Sequence, residues 1–532
     1  MIRKIICINA VCISLMAALF CVYPPLRTAL SLRDPALKQP GVPKIAWRLS
    51  RSLASRYASW AHRRIATPDA SGISKNETFS PEWMVFGSVM YLQAVENLQA
   101  AWDAGDHTSV QAPKVFAREA IVAASEVVID PGNARWVVDQ WGSGYLHNGD
   151  VFHRALIISA LTSREQLLHD GAHVDLLRDQ VEGLSHELDA SPGGLLEDYP
   201  GMCYPCDVLA AIACVRRADA VLHQDHSAFV TRAMRSFTAS KMVRLGQMQA
   251  PALASRHSVP KEIRVEAYLP PYQANLASGQ PVSAARGCAN SRLCLVAPEL
   301  WPAEATEWFR SYEEFFWQRR FGAVGFREFR RDAPGNQWMY DSGAGAVLGG
   351  YSVVGNVFGL GASRRNGRFD LAYPLATELL AAAWELPGGV LAVPRVLSNL
   401  SDAPTLGESA LLWQFTIQPE KGFPLKTGGT IPPCVYVVLI GVLVFGAWRI
   451  LESIWTIREA WGEREPEVRR AGLQIALWLL CLAGAMAAAW TERWWLGLCL
   501  VLVAQLFPGW KKPPVDDWDE KARAQQAANP PK

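Results

Sequence analysis

Apolar residues gather along this chain in two kinds of stretch. The first kind is continuous. Residues 5–23, IICINAVCISLMAALFCVY, follow the basic start MIRK, and three further runs stand near the C-terminus at 431–451, 472–490 and 494–510. A helix of about 20 apolar residues spans the hydrocarbon core of a bilayer. No small-x-small cleavage site follows the first run, so it reads as an uncleaved anchor rather than a signal peptide. Trp448, Trp490, Trp494, Trp495 and Trp510 mark the ends of the later runs, where indole rings favour the membrane interface.

The second kind is periodic. From residue 45 to 425 apolar residues recur at three- and four-residue intervals, the mark of helices with one face on a core. Examples are 82–102, 115–128, 151–168, 174–189, 207–222, 227–242, 304–317, 369–385 and 408–416. Helix starts are expected at Ser80, with Pro81 behind it, and at Asp207 and Ser227. The segment 343–362, GAGAVLGGYSVVGNVFGLGA, has no charge, but seven of its residues are glycine. Glycine adds little transfer energy, so a buried helix inside the domain is expected there, not a further span. Few strands are expected. Helices joined in pairs by long loops suit a helical toroid better than a simple bundle.

These patterns divide the chain into a cytoplasmic start (1–4), an anchor (5–23), a linker with a first helix (24–79), an all-α domain (80–425), three spans, and a polar disordered tail (511–532). Arg449, Arg458, Arg464, Arg469 and Arg470 between two spans, with Lys511 and Lys512 after the last, belong on the cytoplasmic side. That topology makes a multi-pass membrane protein with its large domain extracytoplasmic.

Charge narrows the function. With 52 basic and 50 acidic residues the chain carries +2, and nothing suggests a nucleic-acid partner. No P-loop, dinucleotide fingerprint, HExxH or GxSxG occurs. The densest chemistry lies at 193–207, GGLLEDYPGMCYPCD. Cys203 and Cys206 make one CxxC, and His223 and His226 follow a helix later, too far off for an expected zinc site. A thioredoxin-like role lacks its βαβ context. A disulfide between Cys288 and Cys294, or from Cys203 to Cys206 or Cys214, is the structural alternative. A catalytic reading places Cys206 at a helix start, where partial positive charge lowers a thiol pKa, beside Glu197, Asp198 and Tyr199.

The run GGLLEDYPGMCYPCDVLAAIACVRRADAVL resembles the central motif of the linalool dehydratase/isomerase family. Residues 136–161, 341–367 and 406–415 are similar to other segments of that family, in the same order, so the likeness covers about residues 80–420. It implies an (α/α)6 barrel and lyase or isomerase chemistry on an alcohol. No cofactor or metal is expected. Cys206 falls on the family's second active-site cysteine and Asp198 on its catalytic glutamate. Glu197 stands where the first cysteine would be, and the family's histidine falls at or beside Arg154, with His153 the nearest imidazole. Tyr272 matches another tyrosine of the site. The catalytic set implied is therefore Asp198, Cys206, His153 and Glu197, with Asp139, Trp141, Tyr199 and Tyr272 binding a small molecule, terpenoid or sugar. Two alternatives stand beside it. One is glycan processing by Asp139 with Glu197 or Asp198; the other is a non-catalytic domain that binds a lipid, glycan or partner protein.

Overall fold

The computed structural model describes residues 2–66, 79–249, 264–333, 337–341, 343–400 and 403–462, with isolated positions at 478, 480–481, 483–485, 500 and 503. The chain is mostly helical and divides into two compact units, Met1–Pro24 with Gly441–Lys532, and Pro25–Ile440.

Two helices are long and apolar enough to cross a membrane. Helix α1 (Ile2–Ala17) passes through a π turn (Ala18–Val22) into α2 (Tyr23–Ser31), and an 18-residue window within Ile5–Ser31 reaches a mean hydropathy of 2.6. The helix thus outruns the expected anchor, and the π turn comes just before Pro24 and Pro25, whose missing N–H groups interrupt the regular i→i−4 ladder. Helix α18 (Pro433–Gly462) contains the other, Pro433–Arg458, with an 18-residue window at 2.3. The expected spans at 472–490 and 494–510 and the tail at 511–532 lie outside the described residues, isolated positions apart. In the first unit Ile13 and Trp478 bury each other.

The second unit begins with α3 (Lys44–Ala66), α4 (Phe79–Asp103), the single turn α5 (Pro113–Phe116), α6 (Arg118–Ile129) and the short α7 (Arg135–Trp141). Next come α8 (Val151–Leu168), α9 (Val174–Ala190), α10 (Pro205–Leu222) and α11 (Ser227–Ala233). Strands β1 (Val243–Gln249) and β2 (Arg264–Leu269) pair before α12 (Gly287–Val296) and α13 (Pro302–Phe316). Two hairpin sheets follow, β3 (Trp317–Arg320) with β4 (Ala323–Phe326), and β5 (Trp338–Asp341) with β6 (Gly345–Leu348) and β7 (Tyr351–Ser352). Helices α14 (Val353–Arg365) and α15 (Phe369–Ala383), the pair β8 (Glu385–Leu386) and β9 (Val390–Leu391), α16 (Ala392–Leu400) and α17 (Leu406–Thr416) complete it.

Six of these helices contact one another in a closed sequence: α4 on α8, α8 on α10, α10 on α12, α12 on α14, α14 on α17, and α17 back on α4. They are apolar on most faces, and α8 buries residues from Val151 to Arg164 without interruption. The helices packed against them are one-faced. In α9, Leu177, Val181, Leu184 and Leu188 are buried at the helical period.

Several expectations change. The segment 343–362 is half hairpin: Gly345, Gly349 and Gly350 take positive φ (67°, 60° and 91°) and turn the chain before α14 starts at Val353. Residues 227–242 are α-helical only to Ala233 and end in 3-10 turns. Helix α10 starts at Pro205 with Tyr204 as its N-cap, so Asp207 sits in the first turn instead of capping it. The expected disulfides do not form: Cys203, Cys206, Cys214, Cys288 and Cys294 are all free thiols. Cys288 and Cys294 lie on one helix, where six residues' rise of ~9 Å exceeds what a disulfide bridges.

Candidate active site

The second unit holds a cavity of ≈510 Å³ lined by the loop before α10 and by faces of α4, α8, α12 and α14. Trp83, Phe86, Phe152, Tyr272 and Phe358 make much of its wall apolar, and polar groups cluster on one side.

That cluster starts from the 193–207 loop. Asp198 N–H donates to the Met202 carbonyl (3.0 Å) and Met202 N–H to that of Tyr199 (2.8 Å), closing a tight turn through Gly201 at φ 78°. The turn drives the Asp198 side chain inward, and the N–H of Tyr204 donates to its Oδ2 at 2.9 Å. Its Oδ1 is buried without a protein partner. Burial, the neighbouring Asp207 charge and Asp150 push the Asp198 carboxyl well above the usual carboxylate range, which favours its protonated form.

Asp207 is ion-paired to Arg292 of α12, whose guanidinium lies over the Phe86 and Phe152 rings at 4.8 and 5.0 Å. Glu82, in the first turn of α4, accepts a short hydrogen bond from the Tyr199 hydroxyl. Burial, offset in part by that bond, raises the Glu82 carboxyl to about 7. The cavity wall therefore carries a carboxyl whose proton burial favours, an ion-paired carboxylate and a carboxyl that titrates near neutrality. Asp150, the N-cap of α8 held at φ 41°, receives the His153 N–H at 2.9 Å and is itself raised by burial.

Of the residues expected from sequence, Asp198, Cys206, Tyr199 and Tyr272 line this cavity. Cys206 is not the activated thiolate that a helix start suggests. Burial and the Asp207 charge, with Sγ 3.6 Å from Oδ2, push its thiol well above the ordinary value. Tyr272 stands edge-on to Tyr204 at 5.1 Å under the Arg286 guanidinium at 4.4 Å.

His153, Glu197, Asp139 and Trp141 are not in the lining. His153 is fully buried between Trp136 and Tyr145, each 5.8 Å away, its ring nitrogens lack protein partners, and burial lowers its pKa to about 4. Its helix neighbour Phe152 faces the cavity instead. Arg154 is spent on an ion pair with Glu187 at 2.8 Å. Glu197 contributes its carbonyl, which accepts the Val151 N–H at 3.0 Å and ties the loop to α8. Asp139 is exposed, while its neighbour Gln140 reaches the cavity. The Trp141 ring occupies the space above Gly149, where an added Cβ would meet it at 2.4 Å.

Among the lining residues with no site role expected from sequence are Glu82, Asp207, Arg292 and Cys288. The Cys288 thiol donates to Glu328 at 3.2 Å, and Glu328 is held in turn by Arg286 at 2.6 Å. A charge inside the apolar start EWMVF was the one available signal for Glu82. Among the described residues no group of three or more His, Cys, Asp or Glu side chains could hold a metal ion. His226 faces Asp219 at 2.5 Å and not the CxxC. No protein-family model matches this chain, and no curated protein matches it.

Proposed function

We propose that the second unit is an (α/α)6 barrel that dehydrates or isomerises an alcohol by acid–base chemistry in this cavity, as the resemblance to the linalool dehydratase/isomerase family implies. The closed sequence of six helix contacts supports the barrel. The observation that carries the chemistry is the Asp198 carboxyl, buried at the cavity wall with one oxygen unpartnered and raised well above the usual carboxylate range.

Asp198 is the general acid and gives its proton to the substrate hydroxyl. The C–O bond then breaks and its electron pair leaves with water. Glu82, ionised above about pH 7 and oriented by Tyr199, takes a proton from the adjacent carbon, and that C–H pair becomes the double bond. Arg292 balances the negative charge left on Asp198, and Cys206 borders the site as a neutral thiol. The aromatic wall suits a terpenoid-like skeleton. Sugar processing has less support, since its second carboxylate, Asp139, is exposed outside the lining. On this reading the domain is extracytoplasmic in a multi-pass protein, with the arginines after Trp448 inside.

The test is turnover of a panel of terpene alcohols by the full chain in nanodiscs, read by gas chromatography. Asp198→Asn should lower the rate by roughly 10²–10⁴-fold, the usual worth of a general acid. Absence of product from a well-folded sample with every alcohol would sink the proposal.

A further inference from the structure

A half-buried antiparallel sheet ordinarily turns polar side chains outward. The β5–β6 sheet does the reverse. Trp338 and Tyr340, alternate residues of β5, are 70% and 73% exposed, and Leu348, paired with Trp338, is 52% exposed. The tip of the β3–β4 hairpin adds Phe321, 73% exposed and held at φ 57°. These residues form one patch. A Cβ at Gly349 would stand 3.8 Å from the Phe321 ring and 3.9 Å from that of Trp338. An aromatic surface of this kind on a folded domain marks a site of contact.

The charges beside it are unequal. Arg330 is neutralised by Asp332 at 2.6 Å and Arg331 by Glu314 at 3.5 Å. Arg319 is exposed, and Arg320 lies over the Phe321 ring at 4.5 Å and donates to Gln337 at 2.8 Å. No carboxylate is paired to either among the described salt bridges. The patch is therefore aromatic with a positive edge.

Its position names the occupant. The residue after Phe321, Gly322, accepts a hydrogen bond through its carbonyl from the N–H of Cys434 at 3.1 Å, in the first turn of α18. From that turn onward Tyr436, Val437, Val438 and Ile440 are exposed. The patch thus stands level with the point where an apolar helix long enough to cross a bilayer begins. Aromatic side chains with arginine at that level match the headgroup region of a membrane.

We infer that Phe321, Trp338, Tyr340 and Leu348, with Arg319 and Arg320, form a membrane-docking face that rests on the lipid headgroups around α18. The sheet that carries it also carries the cavity: Gly343, in the β5–β6 turn, and Val354, just after β7, are lining residues. Docking here holds the cavity wall against the lipid surface.

The test uses the full chain in nanodiscs, with Phe321 or Trp338 replaced in turn by a photoreactive benzoylphenylalanine. Val437 on α18 and Val110, 90% exposed on the loop between α4 and α5, serve as positive and negative positions. After illumination, mass spectrometry should find lipid adducts at 321 and 338 about tenfold above those at 110, as aromatic residues at headgroup depth would give. Anionic lipid should raise the yield at 338, and Arg319→Gln with Arg320→Gln should remove that rise. Yields at 321 and 338 no higher than at 110 would overturn the docking face. A cross-linked dimer in place of lipid adducts would do so too, by making the patch an interface between copies. Failure of Val437 to label would also overturn it, since the face depends on α18 entering the bilayer.

Discussion

Glu82 sets two properties against each other. Its carboxyl titrates at about 7 in the folded chain against an ordinary value of 4.5, so the folded state holds the proton more tightly. That contribution to stability is full below pH 4.5 and is lost as pH rises through about 7. The base form that the reaction needs appears over the same upper range. Turnover should therefore rise toward pH 8 while the melting temperature falls. Glu82→Gln should abolish the rising limb of the rate and flatten the fall in melting temperature, as a pH series on both variants would read out. His153 works in the opposite sense. Burial depresses its pKa from 6.5 to about 4, so its contribution is present above pH 6.5 and lost as pH falls through about 4. His153→Phe should lessen the drop in melting temperature between pH 7 and pH 4.5. Sequence placed Asp198, Cys206 and Tyr199 together because they share one loop. It could not bring in Glu82 or Arg292, since each is a single side chain on its own helix, and helical periodicity reports burial without saying what lies opposite.

Helix α14 shows what glycine does within an element. A Cβ at Gly359 would lie 2.6 Å from the ring of Phe326, which is fully buried and stacked on Tyr312 at 4.3 Å. Neither ring has room to yield, so Gly359→Ala should destabilise the domain by about 1–3 kcal/mol, measurable by denaturant titration, in the range expected for overpacking. The same glycine-rich stretch misled the sequence reading. Absence of charge suggested one buried helix over 343–362, yet Gly345, Gly349 and Gly350 serve turns while Gly355, Gly359 and Gly361 serve packing. Helix α9 was legible because its apolar period, Leu177, Val181, Leu184 and Leu188, persists over several turns. The strands were not, because β3 to β9 span two to four residues, too few for alternation to register.

At the scale of the whole molecule, the apolar stretches Ile5–Ser31 and Pro433–Arg458 flank the helical unit in sequence. The full chain should stay with membranes through high-salt and carbonate washes and leave them only in detergent; release by carbonate would contradict a spanning role for both helices. Hydropathy made these two helices legible, whereas the return of α17 to α4 had no sequence signal, since each merely shows an apolar face. That return reaches far along the chain: Asn97 donates to Thr416 at 3.2 Å across 319 residues. During synthesis α4 must wait for almost the entire domain before its neighbour exists. A ribosome halted before Leu406 leaves the facing sides of α4 and α14 bare, an incomplete ring for chaperones to guard and proteases to find. Only when the last helix emerges can the ring shut, with Pro433 and the next membrane-crossing stretch just behind it.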